Sequence, residues 1–238
     1  MAKEVFNRFE HKYFLDQKTY ERVLCQMDRH MELDAYNIGH KPYTIANIYY
    51  DTADDYLIRT SLSSPVYREK LRLRAYGVPK MDTTVFLEIK KKYNGLVNKR
   101  RTAICLEDAY RFIQSGKSPD CTEGINLQVL HELSYFLAHY TLFPKLYLAY
   151  DRIAYFEKGN PDLRISFDQN IRSRRTEVSL EKGDYGTPLM DENLYLMEVK
   201  TSLAKPLWLT HLLADIGVFR TSFSKYGTEF KQYQRAIS

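Results

Sequence analysis

The chain has 238 residues, enough to bury a sizeable core, and its 44% hydrophobic and 27% charged content excludes a disordered polypeptide. Its 35 Lys and Arg against 30 Asp and Glu leave a net charge of +5, too small an excess to argue for nucleic-acid binding. Three scattered cysteines, Cys25, Cys105 and Cys121, lack CxxC spacing, which excludes a disulfide framework and suits a reducing compartment. In chain order, alternating runs rich in Tyr, Ile, Val, Leu and Phe predict strands at 4–15, 44–51, 66–76, 83–92, 97–105, 145–157, 162–168, 171–178 and 194–202. Asp16 is placed to cap a helix running to about His30, with Tyr20, Val23, Leu24 and Met27 on one face. Further helices are predicted at Asp108–Ser115, ended by Gly116, at Leu127–Tyr140, and from Pro206 to Ile216, stopped by Gly217. Asn94-Gly95 and Gly159-Asn160-Pro161-Asp162 are hairpin signals. The polar stretch 115–124 is a loop rather than a linker, so 1–238 is expected to form a single α+β domain: a closed antiparallel β-barrel with helices packed outside.

Charge follows the strand period. Arg8-x-Glu10-x-Lys12, Arg72-x-Arg74, Glu88-x-Lys90-x-Lys92, Lys99-x-Arg101 and Glu198-x-Lys200 each put two or three charges on one face of a strand, backed by apolar residues on the other. An ordinary antiparallel sheet could turn such a face to water. Same-face pairs of like charge, such as Arg72 and Arg74, gain nothing structurally, however, and the surplus is one-sided. A shared lumen is the better account: basic, with Arg152 and Lys225 added, and interrupted by Glu10, Glu88, Asp168 and Glu198. Arginine and lysine bind phosphate oxygens by charge-assisted hydrogen bonds, and a divalent cation bridging phosphates takes only one or two protein carboxylates. Glu198 is the first candidate for that metal ligand. The six histidines are dispersed and read as structural or surface residues, Trp208 as packing its helix on the sheet, and no GxxxxGK[ST], GxGxxG, HExxH or zinc-type spacing occurs.

No run reaches the roughly 20 apolar residues of a membrane span, and the opening MAKEVFNRFEHKYF lacks a signal-peptide core. The expectation is a cytoplasmic protein without a membrane segment, with a membrane-bound partner left open.

Seven motifs in order, Arg8-Phe-Glu10-His-Lys12-Tyr, Ile48-Tyr-Tyr-Asp51-Thr, Lys70-Leu-Arg72-Leu-Arg74-Ala-Tyr-Gly77, Phe86-Leu-Glu88-Ile-Lys90, Tyr150-Asp-Arg152, Leu196-Met-Glu198-Val-Lys200 and Ser222-Phe-Ser-Lys225-Tyr, cover nearly the whole chain. Together they resemble the VTC-type polyphosphate polymerase domain of the triphosphate tunnel metalloenzyme (CYTH-like) superfamily. The resemblance implies a tunnel-shaped antiparallel barrel that binds ATP and inorganic polyphosphate with Mn²⁺ or Mg²⁺, and that transfers the γ-phosphate of ATP to a growing chain. By matching motif it implies that Lys12, Arg72, Arg74, Lys90, Arg152, Lys200 and Lys225 line the tunnel and hold phosphates in the reaction. It further implies Glu198 as metal ligand, phosphate contact by Tyr150, and supporting contacts from Arg8, Glu10, Glu88, Lys99, Arg101, Arg164 and Ser224. The superfamily signature is ExExK; Arg8 at its first position resembles the polymerase branch rather than a two-metal hydrolase. Ser222 stands where polymerases can carry a second lysine. Two alternatives stay open: a tripolyphosphatase or nucleoside triphosphatase on the same fold, and a non-catalytic polyphosphate-binding module. An RNA-binding module is disfavoured, because no aromatic stacking positions on an open sheet face are evident.

Overall fold

The computed structural model describes residues 9–94, 96–119 and 123–237. Arg8 and Gly95 lie outside the described residues, as do Cys121 and the start of the first predicted strand.

Among the described residues eleven strands form one sheet: β1 (Phe9–Asp16), β2 (Met31–Leu33), β3 (Tyr43–Asp51), β4 (Tyr67–Tyr76), β5 (Thr84–Tyr93), β6 (Leu96–Cys105), β7 (Phe143–Glu157), β8 (Asn160–Arg174), β9 (Thr187–Pro188), β10 (Leu194–Thr201) and β11 (Arg220–Thr221). The spatial order is β11-β1-β10-β8-β7-β3-β4-β5-β6, antiparallel throughout, with β2 beside β7 and β9 beside β8. The predicted hairpins form: Tyr93 pairs with Leu96, and Glu157 with Asn160. The two strands predicted at 162–168 and 171–178 are one, β8, which bends at the positive-φ residue Asn170 (φ 50°) and ends at Arg174.

Six α-helices lie among the described residues: α1 (Gln17–Met27), α2 (Tyr56–Leu62), α3 (Leu106–Ser115), α4 (Leu127–His139), α5 (Leu207–Asp215) and α6 (Lys225–Ile237). Asp16 caps α1 as expected, its Oδ1 accepting the Thr19 amide at 2.8 Å. Helices α3 and α4 pack Leu106, Phe112, Leu130, Leu133 and Phe136 against the convex apolar face of β3–β7, where Ile48, Leu71, Leu73, Leu87 and Ile89 are buried. Helices α1 and α5 cover β1, β8 and β10 in the same way, with Val23, Met27, Leu209 and Leu212 against Leu15, Ile165, Phe167, Met197 and Val199. The face that these helices cover is apolar, so the alternate positions of β1, β4, β5 and β10, where Lys12, Arg72, Arg74, Glu88, Glu198 and Lys200 stand, turn to the other side of the sheet. No helix among the described residues is long and apolar enough to cross a membrane.

Two expectations are corrected. The sheet does not close into a barrel: among the described residues no ladder joins β6 back to β11 or β1. The strand at that edge, β11, is only two residues long. The tunnel is thus an open, curled sheet. Nor are all helices outside, because α6, absent from the sequence reading, enters the concave side. Tyr226 and Phe230 pack there with Tyr49, Leu146, Leu148, Tyr150 and Leu196, all on the inner face. Asp51 fixes this helix against α2: it accepts the Leu57 and Ile58 amides at 2.8 and 2.9 Å and the Tyr226 hydroxyl at 3.1 Å. The concave face is therefore apolar where α6 plugs it and charged beyond.

Candidate active site in the concave face

The charged part is built from period-two positions on β1, β4–β8 and β10 plus the first residue of α6. At its centre Glu198, buried on β10, is surrounded by four cations. Lys200 Nζ donates to it at 2.9 Å and Lys225 Nζ at 3.1 Å; Arg152 Nη2 lies 3.1 Å away and Lys12 Nζ 3.7 Å. Asp168 of β8, fully buried, takes a bidentate pair from Arg152 at 2.5 and 2.7 Å and an ammonium from Lys225 at 2.5 Å. Glu10 of β1 lies beside them, 3.2 Å from Lys12 and 3.7 Å from Lys200. Lys12 and Lys200 thus each bridge the two carboxylates Glu10 and Glu198. The Lys12 ammonium also donates to the Phe223 carbonyl at 3.0 Å, which ties β1 to the entry of α6.

A second group centres on Glu88 of β5, also fully buried. Arg72 donates to it through Nε at 2.8 Å and again through Nη2, and Lys99 Nζ lies 2.7 Å from its other oxygen. Arg74, one step further along β4, is held by Asn47 at 3.0 Å and by the Tyr150 hydroxyl at 3.0 Å. The Tyr150 ring underlies the Arg152 guanidinium at 5.1 Å and the Lys225 ammonium at 4.4 Å, so one aromatic side chain orients three cations.

Ionisation follows from this crowding. Burial works against charge on Glu198, but Lys200, Lys225, Lys12 and Arg152 hold it well below the usual carboxylate range. Glu10 is pushed up by burial and by Glu198, yet Lys200, Lys12 and Lys90 bring it down to about 2. Against the same burial penalty, Arg72, Arg74 and Lys99 keep Glu88 ionised. The lysines divide. Carboxylate neighbours outweigh burial for Lys12 and Lys225, whose pKa values rise. Burial dominates for Lys99, which falls to about 7 despite Glu88, and for Lys70 of β4, which falls to about 7 with Lys90, Arg68 and Lys12 adding repulsion. Burial and the charges of Lys12, Arg72 and Lys200 also lower Lys90, against the pull of Glu10.

Lys12, Arg72, Arg74, Glu88, Lys99, Tyr150, Arg152, Glu198, Lys200 and Lys225 are therefore brought together on the concave face. Lys90 stands there too, with no ion-pair partner among the described residues. Arg101 stacks its guanidinium 4.7 Å above the Phe86 ring. Arg164 lies off the centre and pairs with Asp34 at 3.1 Å. The Ser224 hydroxyl caps α6, accepting the Gly227 amide at 3.3 Å. Sequence reasoning passed over Asn47 and Asp34, which carry no motif, and Lys70, which continues the Arg72-x-Arg74 period by one step. Trp208 of α5 joins the core over β8 and β10 and stacks on His30, as a packing role requires.

The donor set suits a hard divalent cation. Among the described residues no cluster of three acidic, His or Cys ligands exists. Glu198 and Glu10, both with pKa values lowered and on adjacent strands, could supply the one or two carboxylates that such an ion takes from a protein.

Residues 7–233 match the VTC domain family. No curated protein sequence matches the chain. Among solved structures, a candidate adenylate cyclase of Bacillus halodurans superposes with a TM-score of 0.57 at 13% identity, covering 93% of this chain and 96% of that one. A candidate adenylyl cyclase of Hippeastrum, with a dominant triphosphatase activity, superposes with a TM-score of 0.51 at 14% identity, covering 94% and 93%. At these identities the likeness is one of fold.

Proposed function

The chain belongs to the VTC domain family, and from that premise we propose that it is a metal-dependent polyphosphate polymerase, transferring the γ-phosphate of ATP to a growing inorganic polyphosphate chain. The observation that carries the reading is Glu198: a buried carboxylate kept ionised by four cations, in a face whose remaining charges are mostly basic.

Phosphoryl transfer needs positioning and charge neutralisation more than covalent chemistry. Arg72, Arg74 and Arg152 offer planar guanidinium groups for bidentate contact with phosphate oxygens. Asn47, Tyr150, Glu88 and Asp168 hold them in place beforehand, so little side-chain entropy is lost on binding. Lys12, Lys200 and Lys225 gather at Glu198, where they can neutralise charge on the transferred group. Glu198, with Glu10, would hold Mn²⁺ or Mg²⁺, which would supply positive charge to neutralise phosphate oxygens. The acceptor is the terminal phosphate of the chain, so no side chain has to act as a nucleophile.

A triphosphatase is the second reading, favoured by the triphosphatase activity of the Hippeastrum protein that shares the fold. The two differ in the acceptor, a phosphate chain or water. Incubation of the purified protein with ATP and Mn²⁺ tests the proposal, with the length of the products as the readout; long-chain polyphosphate and ADP are expected.

A further inference from the structure

Strand β1 has two faces. Glu10 and Lys12 turn to the concave site, so His11 and Tyr13 turn outward, where Tyr13 is buried with residues of α5. Strand β11 pairs with β1 and sets Arg220 opposite Tyr13, on the same outer face. Between α5 and these two strands runs a groove of about 360 Å³. Leu213, Val218 and Phe219 supply apolar lining, and His11, Lys205 and Arg220 supply cationic lining. No Asp or Glu lines it, and Asp215, the only carboxylate of α5, stays outside the lining.

Lys205 is held in place there: its ammonium donates to the Tyr13 hydroxyl at 2.9 Å and lies 5.6 Å from the centre of that ring. The side chains of His11 and Arg220 have no hydrogen-bond or ion-pair partner among the described residues. The field is one-sided, since burial, Arg220 and Lys205 all lower the His11 pKa and no carboxylate opposes them. Two other outward-facing cations of the sheet are neutralised, Arg100 by Glu132 at 2.8 Å and Lys145 by Asp55 at 3.2 Å. Apolar surface continues along the groove. Phe219 is 85% exposed, and Leu207, on the α5 face that carries Thr210 and Ala214, is 75% exposed. Large apolar side chains left in water beside a polar rim mark a contact surface. The shape is recessed, so it suits a protruding segment; a flat lipid surface would meet only its lips.

We propose that the groove between α5 and β1–β11 docks a segment of a partner protein that carries acidic residues beside large apolar ones. Its carboxylates would meet Lys205, Arg220 and His11, and its apolar side chains would pack on Leu213, Val218 and Phe219. Charge complementarity selects the occupant: a cationic groove without a carboxylate of its own favours an acidic segment and repels a basic one. The site lies on the outer face and does not depend on the phosphate chemistry of the concave one.

The test pans a display library of random short peptides on the full chain, with excess tripolyphosphate present to occupy the concave face. Enriched peptides are expected to combine Asp or Glu with Leu, Phe or Trp. Their synthetic copies should bind at least tenfold more weakly to Lys205→Glu/Arg220→Glu and to Phe219→Ala, with wild-type binding weakened by salt. Lys205→Gln/Arg220→Gln replaces the charge reversal if that variant fails to fold, and a wild-type melting temperature identifies the folded variants. Failure to enrich acidic peptides, or equal binding by folded variants, overturns the proposal. Two further results overturn it by naming another occupant. Phosphatidylglycerol vesicles that bind wild type but not the variants, with no peptide selected, would make the groove a membrane contact. A wild-type dimer in sedimentation that the charge reversal breaks would make the occupant a second copy of this chain.

Discussion

The ammonium of Lys225, the first residue of α6, lies 3.1 Å from Glu198 and 2.5 Å from Asp168, so a helix outside the sheet ladder is fastened to the floor of the concave face by a buried ion cluster. The same residue therefore serves fold and site. Lys225→Met keeps the stem but leaves Asp168 and Glu198 short of a cation. Breaking a buried ion cluster from one side costs about 3–5 kcal/mol, so the variant should melt well below wild type and lose phosphoryl transfer. A normal melting temperature would mean that α6 is held by its other contacts, Tyr226 and Phe230 in the core and Arg175 on Glu229, without help from Lys225.

Glu198→Gln separates catalysis from binding. It removes the buried negative charge while leaving Lys12, Arg152, Lys200 and Lys225 facing the site. Affinity for tripolyphosphate should stay the same or rise, since anion repulsion is removed, while metal-stimulated transfer should fall at least a hundredfold. Calorimetric binding beside turnover measures both; retained turnover would exclude Glu198 as the metal ligand.

Lys70 and Lys99, both near pKa 7 in the free protein, make binding depend on pH. The lysine environment is set by Lys90, Arg68, Lys12, Arg72 and Arg74 on the positive side, and by Asp51 and Glu88 on the negative. A bound polyanion favours the charged ammonium and raises both pKa values, so binding takes up protons. Affinity should be highest below pH 7 and weaken as pH rises through 7 towards 8.5. Lys70→Arg/Lys99→Arg, always charged, should flatten that profile beyond the part due to the ligand's own terminal phosphates. A profile identical to wild type would show that these two lysines do not titrate on binding.

Much of this site is legible in the residues themselves, because period two on a strand is a geometric rule. Arg72, Arg74, Glu88, Glu198 and Lys200 face one surface since Leu71, Leu73, Leu87, Ile89 and Val199 must face the other, under helices. Three things escaped that rule. Helix α6 carries its apolar residues at Tyr226, Phe230 and Tyr233, a helical spacing, but Gly227 and the polar residues between them blur the pattern, and spacing alone cannot say that the helix lies inside. Helix α2, seven residues long, is too short for a period and depends on Asp51, an anchor several residues upstream. Closure of the sheet is a long-range matter: the strands show curvature-compatible faces, yet the last ladder needs two edges that match, and two-residue β11 offers ten-residue β6 nothing to pair with.

The buried carboxylates also set the acid limit of the fold. Glu198, Glu88 and Asp168 have pKa values lowered from their ordinary range in the folded state. Their contribution to stability is present above the unfolded values of about 4 and is lost as pH falls through the depressed folded values. The melting temperature should be level from about pH 7 down to pH 5 apart from the lysine effects, then drop steeply below pH 4. A melting temperature that holds at pH 3 would contradict the ionised, ion-paired state of these groups.

The central claim is that the concave face transfers phosphate to a phosphate chain. It is tested most directly by resolving, on a gel that separates polyphosphates by length, the products of purified protein with ATP and Mn²⁺. The account predicts ADP together with phosphate chains that lengthen over time and vanish in Glu198→Gln. Release of orthophosphate alone, with no chain longer than the starting triphosphate, would contradict it and make the protein a triphosphatase.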